Sequence, residues 1–245
     1  MLTETLIQEA SPIINRIGGA FYFTPETLGR GRELGLNGLQ FYFIGRGGVL
    51  GDVEWPVVVS AFGYFSPTMV NKFWNSAQEV LPPREGGRAF LECSREFGRL
   101  HLTQIESLDS FCAAAEQITK AIDPFSLPLY AAVSCEPFAE DLPARAMQYL
   151  TILREHRGSA HLLALVAVGL DPRVADVINS AENYKIHGWA QADLPVPTPK
   201  DLDLMYQAHQ LTNQLVSTPF SVLDDEGQLA FITGLRAIEE AVPAS

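Results

Sequence analysis

Apolar residues recur along most of the chain at the three- and four-residue intervals of a helix face, and proline and glycine punctuate the pattern. Leu2, Leu6, Ile13, Ile14 and Ile17 predict an opening helix, broken near Pro12 and ended at Gly18-Gly19. Thr24-Pro25-Glu26 reads as the N-cap and first two positions of a second helix closed at Gly35. Residues 37–51 (NGLQFYFIGRGGVLG) suggest a closely packed helix with Arg46 embedded among aromatics and glycines. Residues 56–64 (PVVVSAFGY) have the β-branching of a strand, but Pro56 and Pro67 favour a short buried helix.

Ser66-Pro67 starts a helix to about Val80, and Pro82-Pro83 a longer one through Phe90, Phe97 and Leu100. Residues 106–121 form an amphipathic helix ended by Asp123-Pro124. Leu142 to Val168 is the longest apolar segment, stopped by Gly169-Leu-Asp-Pro172, which also caps the next helix. The proline-rich stretch Asp193 to Pro199 reads as an extended spacer, with two helices after it at 199–217 and 221–241. The expectation is an all-α chain in two parts. Residues 1–189 form a ligand-binding body around a central buried helix. Residues 190–245 form a helical, degenerate winged-helix-like pair, packed on the body or forming a dimer seam.

Into the longest apolar helix the chain inserts Arg154-Glu-His-Arg-Gly-Ser-Ala-His161. A helix apolar on every face is buried, and buried charges need partners or a ligand. At about 100° per residue, Arg154, Arg157 and His161 share one face. His156 points elsewhere and Glu155 to a third side, so the two histidines diverge and no metal-binding pair is expected. The shared face suits an anion, since guanidinium groups hold carboxylate or phosphate bidentately and an imidazole can move a proton. Gly158 would allow close approach. The competing reading is an internal network in which both arginines pair with carboxylates such as Glu26 and Glu155.

Other polar residues join as candidates. Glu26 either stabilises its helix N-terminus or faces Arg46 or Arg157 across a pocket. Arg46 either stacks on Phe43 or Tyr42 or binds an anion. Tyr22, Tyr42, Tyr64 and Tyr149 are core residues or the lining of an aromatic pocket. Ser66 reads as an N-cap. No phosphate loop, dinucleotide fingerprint or nucleophile elbow occurs in the sequence, and no cofactor is named by it.

Composition sets limits on these readings. With 47% hydrophobic and 19% charged residues over 245 positions, the chain is too apolar for disorder and long enough for a sizeable core. Its 17 Lys and Arg against 29 Asp and Glu give a net charge of −12, which argues against nucleic acid and anionic membranes as partners. The charge is uneven: residues 143–189 hold five basic side chains against four acidic, and residues 190–245 two against eight. The positive block contains the charged segment. Cys93, Cys112 and Cys135 are odd in number and lack C-x-x-C spacing, as expected of reduced thiols in a cytoplasmic protein. The first residues have the wrong charge order for a signal peptide, and no run approaches the ~20 apolar residues of a membrane span.

The run Leu153-Arg-Glu-His-Arg-Gly-Ser-Ala-His161 with its Gly169-Leu-Asp-Pro172 stop resembles an actinobacterial family of helix-turn-helix, MarR-like proteins carrying L-R-E-H-R-G-x-x-H. Phe23-Thr-Pro-Glu26, Leu34-Gly-Leu36, Gly45-Arg46, Gly188-Trp189 and the closing helix from Pro219 to Val242 are similar too. The resemblance implies a helical architecture and a shared motif region. The chain departs from it at Phe65-Ser66-Pro67, where the family has histidine in place of Ser66. It departs again at Ala190 to Pro199, which is shorter than the family's stretch resembling a recognition helix and wing.

The expected function is binding of a small anionic metabolite in a buried pocket by Arg154, Arg157, Arg46, Glu26, Tyr42 and Tyr149. Whether it is an enzyme stays open: His161 and His156 are the proton-transfer candidates, with Glu155 to orient an imidazole. One alternative is the MarR-like regulator that the resemblance implies. Another is an interaction module, a homodimer joined through Val216, Leu223, Leu229, Ile232, Leu235 and Ile238.

Overall fold

The computed structural model describes residues 3–243, and among them it contains thirteen α-helices and no strand. The first six are α1 (Thr3–Ile17), α2 (Pro25–Glu33), α3 (Gly38–Gly47), α4 (Trp55–Phe62), α5 (Pro67–Gln78) and α6 (Pro83–His101). Then come α7 (Leu108–Ala121), α8 (Pro128–Ser134), α9 (Leu142–Val168), α10 (Pro172–Asn179), α11 (Asn183–His187), α12 (Pro199–Phe220) and α13 (Asp225–Ala241). The chain is all-α.

Caps fix most of these boundaries. Thr24, Ser66, Asp141 and Asp224 each accept a backbone N–H of the first turn they precede. Asn37 with Gln40 and Thr198 with Asp201 form reciprocal capping boxes. Gly169, at φ +75°, closes α9, and Asp171 immediately caps α10. Residues 55–62 are helical, as their flanking prolines suggested. The opening helix differs from expectation: α1 runs unbroken through Pro12. Leu6, Ile7, Ala10, Ile13, Ile14 and Ile17 are buried on both sides of the proline, while Gln8, whose carbonyl loses its partner, is exposed to water.

At the centre lies α9, buried on all sides along its first two-thirds and packed by α1, α6, α7, α8 and α12. Two glycines allow the closest of these contacts. A Cβ on Gly18 would lie 2.5 Å from the Leu150 carbonyl oxygen, and one on Gly98 2.3 Å from that of Pro143. The C-terminal pair adds to the same core, with α13 against α7 and α1. Val216, Leu223, Ile232, Leu235 and Ile238 are buried there, and Leu229 is exposed.

Beyond Ala160 a second, smaller apolar cluster begins, built from Ala164, Leu165, Leu170, Ala175, Met205 and Ala208. The segment after α10 docks onto residues 64–66. Ser66 N–H donates to the His187 carbonyl at 2.8 Å, and Trp189 Nε1 to the Tyr64 carbonyl at 2.7 Å. The polar stretch of α9 lies where the two apolar clusters meet.

Candidate functional site

A cavity of about 420 Å3 opens beside this stretch. Arg154, Arg157, Gly158, His161 and Leu162 form its α9 wall. Tyr42 and Arg46 of α3, with Phe62, Tyr64 and Phe65, form the aromatic side. Asn15, Asn179, His187 and His209 arrive from α1, α10, α11 and α12. Such a volume accommodates a metabolite-sized molecule. The helical spacing that put Arg154, Arg157 and His161 on one face holds in three dimensions.

The lower end is a closed network. Arg46 embraces Glu155 bidentately, Nε to Oε1 at 2.9 Å and Nη2 to Oε2 at 2.8 Å. Tyr22 donates to Oε1 at 3.0 Å, and Arg154 Nη1 donates both to that oxygen at 3.1 Å and to the Tyr22 hydroxyl at 2.9 Å. Arg46 Nη1 reaches the Tyr42 hydroxyl at 3.2 Å, and its guanidinium lies 4.4 Å over the Phe62 ring, rather than on Phe43. Burial pushes the Glu155 carboxyl up, but Arg46 and Arg154 overcome it and hold the group down at about 2. The same carboxylate keeps Arg46 protonated against its own burial.

One turn further the arrangement is open. Nε and Nη1 of Arg157 are buried and bond to no group among the described residues. Burial lowers its affinity for a proton, offset in part by Tyr64, whose own hydroxyl is pushed up by burial and by Asp176. His161 Nδ1 lies 2.9 Å from the Thr212 hydroxyl, which donates its single proton to the Ala208 carbonyl at 2.7 Å. Thr212 therefore accepts from His161, so Nδ1 carries the proton and Nε2 has the free lone pair. The His161 ring stacks on His209 with centroids 5.2 Å apart. Burial, His209 and Arg157 push the His161 imidazole down to about 4; burial and Arg157 also lower His209.

Three sequence candidates lie elsewhere. Glu26 lines a separate groove between α2 and α6, with Arg30, Glu92 and Cys93. His156 packs on Tyr130, centroids 5.3 Å apart, on the far side of α9, and burial pushes it down to about 4. Tyr149 packs on Phe138. Glu155 serves Arg46 and Arg154 and bonds to no imidazole. Of the four tyrosines, Tyr42 and Tyr64 line the cavity and Tyr22 sits in the network beneath it.

Sequence reasoning missed His187, Asp176 and His209. His187 Nδ1 meets Asp176 Oδ2 at 2.7 Å across the break between α10 and α11, a pairing no helical spacing reveals. His209 was within reach: with Met205, Ala208, Thr212 and Val216 buried along α12, its histidine and threonine one turn apart are polar groups on an inward side. Ser66 is the N-cap it was expected to be.

The chain matches the profile of a family described as "Helix-turn-helix family" over residues 7–245. No curated protein and no solved structure matches it. With nearly every residue aligned, the chain belongs to this helix-turn-helix family.

Proposed function

We propose that the cavity beside α9 binds a small organic anion, a carboxylate or phosphate ester of metabolite size. The carrying observation is Arg157, a cation whose Nε and Nη1 are buried without a hydrogen-bond partner among the described residues. Leaving such donors unmet costs about 1–3 kcal/mol or more, and the oxygens of a carboxylate or phosphate are acceptors that meet them with charge-assisted hydrogen bonds. Charge supports the same reading. The buried carboxylates Glu155 and Asp176 bond elsewhere, Glu155 to Arg46 and Asp176 to Asn183 and His187, and neither forms an ion pair with Arg157. Gly158 adds room: a Cβ there would meet nothing within 4 Å. The test is thermal unfolding with inorganic phosphate and with dicarboxylates. Wild type rises in Tm with anion concentration and Arg157→Met does not; an equal rise in both defeats the reading.

Membership of a helix-turn-helix family favours a second reading, a transcriptional regulator of the MarR-like kind that the Leu153–His161 run resembles, with the cavity as its effector site. The eight acidic against two basic residues of 190–245 weigh against that segment as the DNA-contacting part. On α6, Arg95 and Arg99 are already paired with Glu92, Glu96 and Asp141. A gel shift with the upstream DNA of its own gene, repeated across salt concentrations, decides. A complex that weakens steeply with salt establishes the regulator, and its absence at micromolar protein removes it.

A further inference from the structure

Asp176 is buried, and both its oxygens are held: Oδ1 accepts from Asn183 Nδ2 at 2.9 Å and Oδ2 from His187 Nδ1 at 2.7 Å. Unlike Glu155 it has no arginine partner among the described residues. A carboxylate fixed in this way sets the imidazole's tautomer, with the proton on Nδ1 and Nε2 basic. The ring is also held mechanically, by the edge-on Phe65 ring at 4.6 Å, by Tyr64 at 5.9 Å, and through its own carbonyl by Ser66 N–H. Among the described residues no protein group bonds to its Nε2, and His187 lines the same cavity as Arg157 and His161. No serine, threonine or cysteine lines that cavity among the described residues, so the pair has no aliphatic hydroxyl or thiol there to activate.

We propose that His187, oriented by Asp176, is a general base of this cavity, acting on a small anionic substrate with a dissociable proton. The proton passes from the substrate to Nε2, the imidazolium formed is balanced by Asp176, and the negative charge left on the substrate lies toward Arg157. This role rests on the anion-binding reading for its substrate, but not for the chemistry of the pair. The titratable and charged groups around His187 are Asp176 on α10, Tyr64 before α5, Arg157 and His161 on α9, and His209 on α12. Asp176 is the positioning residue; His187 would touch the substrate.

The experiment maps diethyl pyrocarbonate modification of each histidine by mass spectrometry against pH, with and without 10 mM phosphate as the anion probe. In wild type His187 is modified, and Asp176→Asn, which removes the anion that balances the imidazolium, lowers the pH midpoint of its reaction. His101, remote from the cavity, serves as the internal reference and does not move. Asp176→Glu restores the midpoint, which a merely structural role for Asp176 would not require. An unmodified His187 in folded protein, or a midpoint unmoved by Asp176→Asn, overturns the assignment. If Asp176→Asn fails to fold, 15N NMR of wild-type histidines decides near pH 8: a proton on Nδ1 of His187 supports the base, and one on Nε2 rules it out. Phosphate separates the two readings. Protection of His187 by phosphate supports both, whereas an Asp176-dependent midpoint without protection keeps the base and defeats the anion site.

Discussion

Two adjacent turns of α9 treat buried charge in opposite ways. At Arg154-Glu155 each charged group has partners: Arg46, Arg154 and Tyr22 converge on one carboxylate. At Arg157-His161 the guanidinium lacks an acceptor among the described residues for two of its nitrogens, and the imidazole is held by one hydroxyl. The same helix supplies both, in the same apolar surroundings, so burial alone does not separate them. The difference is the carboxylate. The closed end has the features of a structural strut, and the open end those of a receptor.

The largest effect should come from breaking the closed end. Glu155→Gln keeps the shape but leaves Arg46 and Arg154 facing a neutral amide. It should destabilise the fold by about 3–5 kcal/mol, read as a lower urea midpoint. A loss below 1 kcal/mol would mean that the network is dispensable and the contrast between the turns is false.

Acid should separate the two ends by pH. Glu155 has its carboxyl lowered from 4.5 to about 2, so its contribution is complete above pH 4.5 and lost as pH falls toward 2. His161 is lowered from 6.5 to about 4 and is buried neutral. Its unfolded form binds the proton first, so this stability is full above pH 6.5 and drains between 6.5 and 4. Each step amounts to about 3 kcal/mol. Denaturation midpoints collected from pH 7 to 2 should fall in two stages. Glu155→Gln should shrink the lower stage, to which the lowered carboxyls of Glu92, Asp141 and Asp171 also contribute, and His161→Asn should shrink the upper, where His156 also contributes. A single fall below pH 4.5 would contradict a neutral, buried His161.

How much of this contrast the sequence carried depends on distance along the chain. The bounds of α9 and the common face of Arg154, Arg157 and His161 follow from local periodicity and from the Gly169-Asp171 stop, all within one helix. The partner of Glu155 did not follow, because Arg46 is 109 residues away and only the packing of both α3 and α9 on α6 brings them together. Glu26 lies away from this cavity for the same reason, since α2 lies against α6 and turns it into another groove. The Asp176–His187 pair needs the break after α10 and the docking of His187 and Trp189 onto residues 64–66. Neither is a property of a single helix.

At the open end removal of charge should stabilise. Arg157→Met replaces unmet donors with a flexible apolar chain of similar length, and should raise stability by about 1–2 kcal/mol in anion-free buffer. Its sign is opposite to that of Glu155→Gln, the sharpest form of the comparison. A destabilisation of that size would place Arg157 in the strut.

The smallest effect, at Gly158, tests the open turn without touching charge. Gly158 sits inside α9, where glycine costs about 1 kcal/mol relative to alanine, and a Cβ there meets nothing within 4 Å. Gly158→Ala should therefore raise stability by about 0.5–1 kcal/mol in anion-free buffer. The new methyl group would also project from a residue that lines the cavity wall beside Arg157. If the anion sits against that wall, the variant gains stability but loses part of the anion-dependent rise in Tm. If both the gain and the full anion response persist, the ligand lies away from Gly158, toward the aromatic side formed by Tyr42, Phe62 and Phe65.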